Sequence, residues 1–222
     1  MKHISLFLLF MLVATSIGYA EDKNKPPAEH QGLIAEKPKF AKGDRWEYLR
    51  RDKTISCEFV EMKNEALVFH LQWDEWKSEG KKETEFRNSD LNLIKVIDEK
   101  GEEEEITPYR GPFSFPLWVG KKWSYSFSSS RKVNSSGAGE QATTDVNVKV
   151  LSYEQVKVPA GTFWAFKIEE TRNKRGAKRG RAQFGTTITV WYSPDIKANI
   201  KVEHDSDVYN RELLRYSPGS PN

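Results

Sequence analysis

One cysteine in 222 residues, Cys57, is all this chain offers for covalent cross-linking. A single thiol forms no internal disulfide, so the fold must be held by its core. Cys57 alternates with Ile55 and Phe59, which reads as a small buried apolar side chain rather than a reactive thiol or a bridge between chains. Histidine is nearly as scarce. Beyond residue 20 only His30, His70 and His204 remain, too scattered for the close spacing a metal site needs. There is no G-x-S-x-G elbow for a serine nucleophile. No glycine loop precedes a helix to cradle phosphate. No spacing among the 32 acidic residues singles out a carboxylate pair of the glycosidase kind. The expectation is therefore no catalytic residue, no metal and no cofactor. An excess of one charge is also missing. The 35 Lys and Arg nearly balance the 32 Asp and Glu, which gives no global pull toward nucleic acid. The acidic run at residues 102–105 reads as a solvated loop or edge strand.

Long hydrophobic runs are absent except at the start. Lys2 supplies a positive n-region, residues 4–13 an apolar run, and Gly18-Tyr19-Ala20 a small-x-small cleavage site. That is the pattern of a secretory signal peptide over residues 1–20, and the run is short for a membrane span. No cysteine beside the cleavage site is available for a lipid anchor, and no transmembrane segment is expected after cleavage. Lys2 is the only one of the 35 basic residues in this segment and no acid lies there, so the mature chain keeps a net charge of +2. Residues 21–39 are polar and proline-bearing and read as a flexible leader. A single β domain is expected over residues 40–218, with a tail at 219–222.

What the chain has in quantity is apolar–polar alternation of period two. Nothing sustains a helical period. Strands are expected at 45–50, 54–61, 66–73, 81–87, 91–97, 145–151, 162–168, 183–192, 199–204 and 208–216. Residues 107–119 carry three prolines and read as a segment crossing an open end of the sheet. The Ser- and Gly-rich stretch between Tyr125 and Asp145 reads as a mobile loop. The clearest hairpin turns at Val158-Pro159-Ala160-Gly161, where proline presets φ and glycine closes the turn. Its second strand is apolar on both faces, with Trp164, Phe166 and Ile168 pointing one way and Phe163 and Ala165 the other. Gly120-Lys121-Lys122-Trp123-Ser124-Tyr125 echoes Gly43-Asp44-Arg45-Trp46-Glu47-Tyr48, which suggests two copies of one meander with halves near 40–110 and 113–218. The fold class is all-β and antiparallel, with 10–12 strands in a curved open sheet or half-barrel; a closed barrel and a sandwich are the alternatives.

Four segments together carry a resemblance. They are Phe115-Pro116-Leu117-Trp118-Val119-Gly120-Lys121-Lys122-Trp123, the V-x-V-P-A-G-T-F of residues 156–163, Trp191-Tyr192-Ser193-Pro194, and Glu212-Leu213-Leu214-Arg215-Tyr216. This pattern resembles a family of exported bacterial proteins of unknown function, over roughly residues 113–216. The resemblance implies an exported, β-rich protein and brings no activity or catalytic residue. In strand pattern the chain is more loosely similar to periplasmic carriers that hold lipid or lipoprotein chains in a half-barrel, a likeness of fold only.

These readings lead to a periplasmic or secreted cell-envelope protein that acts by binding, with a lipid or envelope component as its partner and no nucleic acid. Trp123, Phe163, Trp164, Phe166 and Trp191 are the candidate apolar-ligand face. A polyanion contact is the candidate role of Arg172, Lys174, Arg175, Lys178, Arg179 and Arg181, against the plainer reading of a solvated hairpin loop. The alternatives are a surface-interaction or assembly protein that uses the basic loop and sheet edges, and a hydrolase. The sequence sets no oligomeric state.

Overall fold

In the computed structural model, residues 33–74, 80–132, 142–175 and 185–220 are described. Twelve antiparallel strands follow one another round a closed barrel. They are β1 (Arg45–Arg50), β2 (Lys53–Lys63), β3 (Ala66–Trp73), β4 (Lys82–Arg87), β5 (Leu93–Asp98), β6 (Glu103–Arg110), β7 (Lys122–Lys132), β8 (Ala142–Val158), β9 (Gly161–Arg175), β10 (Thr186–Ser193), β11 (Ala198–His204) and β12 (Arg211–Ser217). The antiparallel all-β expectation stands. Of the ways to finish such a sheet, the chain takes closure rather than the open half-barrel: β1 pairs with β12 from Arg45↔Ser217 to Leu49↔Glu212. Closure removes the free edges that an open sheet would present.

Alternation sets the two faces. Trp46 and Tyr48, then Ile55, Cys57 and Phe59, then Phe69 and Leu71, turn inward and are buried. So do Val146, Val148 and Val150 of β8 and Phe166 and Ile168 of β9. The outward partners are polar, as in Ser124↔Asn147, Ser126↔Asp145 and Lys122↔Lys149. A barrel apolar inside and polar outside reverses what a lipid-spanning barrel requires. No helix among the described residues is long and apolar enough to cross a membrane.

Two expectations are corrected here. The crossing segment does not begin at Thr107, because β6 continues to Arg110. Pro108 is accommodated because the β5–β6 ladder slips between Lys95↔Glu105 and Leu93↔Arg110, and an interrupted ladder asks no N–H of proline. The crossing then runs over residues 111–121 and covers the lower end, where Phe113 and Phe115 meet the Tyr192 ring, each at 5.3 Å. Asn92 holds it there as a strand would: its Nδ2 donates to the Phe113 carbonyl (2.7 Å), and its Oδ1 accepts from the Phe113 N–H (3.0 Å). The serine-rich stretch after Tyr125 is also no loop as far as Lys132. Ser126 and Ser128 fall on the outward positions of β7 while Trp123, Tyr125 and Phe127 face the Val148, Val146 and Thr144 positions of β8, and Ser129 follows them opposite Ile106 of β6, so it keeps a strand's alternation. Residues 133–141 lie outside the described residues, as do residues 1–32, on which the expected signal peptide and most of the expected leader fall. Ala35 already forms a two-bond bridge with Leu117 (2.9 and 2.8 Å), so the chain is held before the first strand.

The tip of the β8–β9 hairpin does more than turn the chain. A register shift at Val150/Ser152 bends it past the ends of β10 and β11. The Ala160 N–H then donates to the Leu213 carbonyl of β12 at 3.0 Å. β11 and β12 pair only at Lys201↔Glu212 and Val202↔Arg211, so the tip supplies a bond where β11 has left its neighbour.

The two G-x-x-W-x-Y segments open β1 and β7 with one backbone pattern. Gly43 donates to the Phe59 carbonyl and Phe59 to Asp44; Gly120 donates to the Val150 carbonyl and Val150 to Lys121. Both glycines have φ near +90° (86° and 93°), a conformation that a Cβ disfavours. The residue after each glycine is a buried charge, Asp44 or Lys121.

Candidate functional site: the arginine-lined barrel interior

Two adjoining cavities lie inside the barrel, of about 180 and 460 Å³. Together they fall within the range of small-molecule sites, about 300–1,000 Å³. The lower one is walled by Phe40, Trp46, Phe69, Leu71, Leu93 and Phe113. The upper one reaches Arg50, Trp73, Ile188, Val202, His204 and Tyr209. Both touch Ile55, Arg110, Asn199 and Arg211.

The aromatic floor is built by short-range ring contacts. Phe40, just ahead of β1, meets Trp46 at 5.7 Å and Phe69 at 5.5 Å, both edge to face. The Trp46 indole N–H donates to the Ile196 carbonyl at 2.8 Å, which satisfies its polar atom while the ring stays in the core.

Above the floor the wall is charged, because inward positions carry Glu and Arg two residues apart on β4 and β9 and six apart on β6. On β4, Arg87 Nε donates to Glu85 Oε2 (2.8 Å) and its guanidinium lies 4.4 Å from the Phe69 ring. Burial works against the Arg87 charge, but the Glu85 carboxylate outweighs it and keeps the group protonated above its usual range. On β6, Arg110 pairs with Glu104 at 3.0 Å. On β9, Arg172 holds Glu170 through Nε (2.9 Å) and Nη2 (3.0 Å), and the Tyr125 hydroxyl reaches Glu170 Oε1 at 3.3 Å. Burial raises the Tyr125 hydroxyl and the Glu170 charge adds to it, so that hydroxyl stays a donor. Arg211 differs. It lies 5.3 Å from the Tyr48 ring and forms no ion pair among the described residues.

Cys57 faces this wall between Tyr48, Arg87 and Glu85. Burial pushes its thiol up to about 11, with the Arg87 guanidinium pulling the other way. Since the thiolate is the reactive form, Cys57 should be quiet. At pH 8, Ellman's reagent should modify the native protein about 100-fold more slowly than the urea-unfolded chain, following the thiolate fraction. Equal rates would mean an exposed thiol.

Of the five residues of the sequence-predicted apolar face, Trp164 and Phe166 meet on the Tyr153 ring, and none of the five lines either cavity. Phe166 is buried in the core, 4.7 Å from the Tyr153 ring. Trp123 packs against the core near Lys121, whose ammonium lies 5.5 Å from it. Trp191 sits on the other face of β10 from Val190; its Nε1 donates to Glu154 (2.9 Å) and Lys167 and Lys201 lie over its ring. Phe163 is partly buried at the hairpin tip, and Trp164 is 46% exposed, stacked on Tyr153. The basic run also divides. Arg172 turns into the barrel. Lys174 is exposed, and Arg175 pairs with Asp145 on the outside. Lys178, Arg179 and Arg181 lie outside the described residues.

Sequence reading missed the interior charges, although the signal was present. The inward register that buries Phe166 and Ile168 continues to Glu170 and Arg172, and the same parity joins Glu85 to Arg87.

No family model matches the chain, and no curated protein matches it. Among solved structures, it is similar to a protein from Bacteroides fragilis NCTC 9343 with a YmcC-like fold, named for its suspected export. The two are 15% identical with a TM-score of 0.50, over 82% of this chain and 99% of that one. The likeness shows a shared fold. The hypothetical lipoprotein YmcC of Escherichia coli K12 is 12% identical at a TM-score of 0.45, over 81% and 89% of the two chains. A suspected lipoprotein from Parabacteroides distasonis ATCC 8503 is 11% identical at 0.44, over 82% and 99%.

Proposed function

We propose that this is an exported envelope protein, periplasmic or secreted, that works by binding and holds an apolar ligand inside its barrel. The observation that carries the reading is the pair of adjoining cavities, with an aromatic floor and a wall of arginines. Evolution of a filled barrel would favour apolar side chains at the inward positions that instead carry Glu85, Arg87, Glu170 and Arg172, because buried ion pairs stabilise less than well-packed apolar groups. Export fits the signal-like residues 1–20 and the names of the structures that share the fold. Binding rather than catalysis fits a site in which each glutamate is already tied to an arginine and the one thiol is held protonated.

Native mass spectrometry of the protein purified from its own envelope should show a co-purifying lipid-sized adduct. The neutral fluorescent probe N-phenyl-1-naphthylamine should bind saturably at one site. Protein that purifies clean and leaves the probe dark would refute the reading.

A further inference from the structure

We infer that the ligand is an anionic amphiphile, its chain on the aromatic floor and its acidic headgroup at Arg211 beneath Arg50 and Trp73. This deepens the binding proposal and rests on it. The charge of the interior is the first support. Arg50, Arg87, Arg110, Arg172 and Arg211 line the cavities. Three of them are matched by Glu85, Glu104 and Glu170, and the Lys197 ammonium is matched by Asp44. Among the described residues, Arg211 and Arg50 are left over. Arg50 spends its Nε on the Val208 carbonyl (2.7 Å) and lies between the rings of Trp73 (5.3 Å) and Tyr209 (5.1 Å), which leaves its terminal nitrogens to donate.

The second support is independent of charge. Arg211 Nε and Trp73 Nε1 are buried and have no hydrogen-bond partner among the described residues. Both are donors only, and a buried donor left without an acceptor costs stability. The Asn199 Oδ1 atom between the two cavities is also without a partner, and its amide can turn to offer NH₂ instead. A carboxylate or phosphate beside Arg211 supplies acceptors of the kind these donors lack, and charge-assisted bonds to arginine are roughly twice as strong as neutral ones. An alcohol or a cationic headgroup supplies fewer or none.

The polarity is laid out along the barrel axis. Arg211 begins β12, opposite Val202 of β11, while Phe40, Trp46, Phe69 and Leu71 lie toward the closed end. A ligand would enter head-last, with its apolar chain against the floor and its anion at the upper wall.

The test is a headgroup series at constant chain length, measured by displacement of N-phenyl-1-naphthylamine from the full mature chain below micellar concentrations. Dodecanoate should bind at least about 10-fold more tightly than dodecanol, and dodecyltrimethylammonium more weakly than either. In Arg211→Gln the preference for dodecanoate over dodecanol should fall below about 3-fold with dodecanol affinity unchanged, and Arg211→Lys should keep most of it. Equal affinity for all three in the wild type would overturn the anionic headgroup and leave the apolar-carrier reading standing; this arm needs no variant to fold. A preference that survives Arg211→Gln, in protein with wild-type melting, would overturn the assignment to Arg211. A probe that binds and is displaced by none of the three overturns the amphiphile. A probe that never binds removes the carrier reading itself.

Discussion

Asp44→Ala should destabilise the barrel by about 3–5 kcal/mol, as expected when one partner of a buried ion pair is removed. The carboxylate is fully buried and takes four donors: the Ala41 N–H (2.9 Å), the Gly219 N–H (2.8 Å), the Tyr216 hydroxyl (3.2 Å) and the Lys197 ammonium (3.0 Å). These come from the approach to β1, the chain after β12, β12 itself and the β10–β11 turn. One side chain therefore ties both ends of the strand sequence to the lower rim where the barrel closes. Lys197 is partly exposed and can rehydrate, so most of the loss comes from the Ala41 and Gly219 N–H groups and the Tyr216 hydroxyl, all part-buried. The tail runs close against this rim. A Cβ at Gly219 would sit 2.3 Å from the Lys42 carbonyl oxygen and 2.6 Å from the Asp44 nitrogen.

The same contacts give a pH signature. Burial by itself would raise Asp44, but the Gly219 and Ala41 N–H groups and Lys197 outweigh it and hold the carboxyl below its ordinary 3.8. A carboxyl depressed in the folded state contributes stability that is present above the unfolded value and is lost as pH falls through the folded one. Urea midpoints should thus drop as the wild type is taken from pH 5 to below pH 4, and Asp44→Ala should lose part of that slope. A variant with the wild-type midpoint at pH 7 would show that the closure does not depend on Asp44.

How far these features were legible in the sequence depends on the distance each spans. Strand positions were legible because alternation is local: Ala66–Trp73 and Arg45–Arg50 fall where the pattern places them. Closure was not, since it rests on pairs such as Arg45↔Ser217 that leave no mark in either segment. β6 was obscured by Pro108, whose cost vanishes only because the ladder is interrupted there. The candidate site was hidden for another reason. Aromatic residues were followed to find a ligand face, but in a closed barrel most inward aromatics pack against each other, as Phe166 does on Tyr153. The cavities are bounded by charged side chains, and Glu and Arg on a strand ordinarily face solvent. Continuing the parity of Phe166 and Ile168 through Glu170 to Arg172 would have turned them inward. Arg211 carries the same clue, since it lies two residues before the buried Leu213.

Glu170→Ala should cost about 2–4 kcal/mol, somewhat below the usual penalty of breaking a buried pair, because Arg172 keeps a quarter of its surface in contact with solvent. Glu170 is almost wholly buried and joins β9 to β7 through Tyr125. The Tyr125 hydroxyl shares its one proton between Glu170 and the Gly111 carbonyl (2.8 Å) and accepts from the Gly111 N–H (3.1 Å), at the point where the crossing segment leaves β6. Removing the carboxylate therefore leaves a cation uncompensated and loosens the cover of the lower end. Arg172→Met should be costly for the converse reason, since it strands a buried anion. The double variant Glu170→Leu/Arg172→Met should recover much of the loss, as apolar replacement of buried pairs often does, giving a coupling of about 1.5–3 kcal/mol in a double-mutant cycle closed by the wild type and the singles Glu170→Leu and Arg172→Met. Urea denaturation of the four proteins measures it. Additive losses would mean that the two side chains stabilise the barrel separately and that the arginine wall is not organised as neutralised pairs, in which case the excess charge assigned to Arg50 and Arg211 would no longer follow from the count.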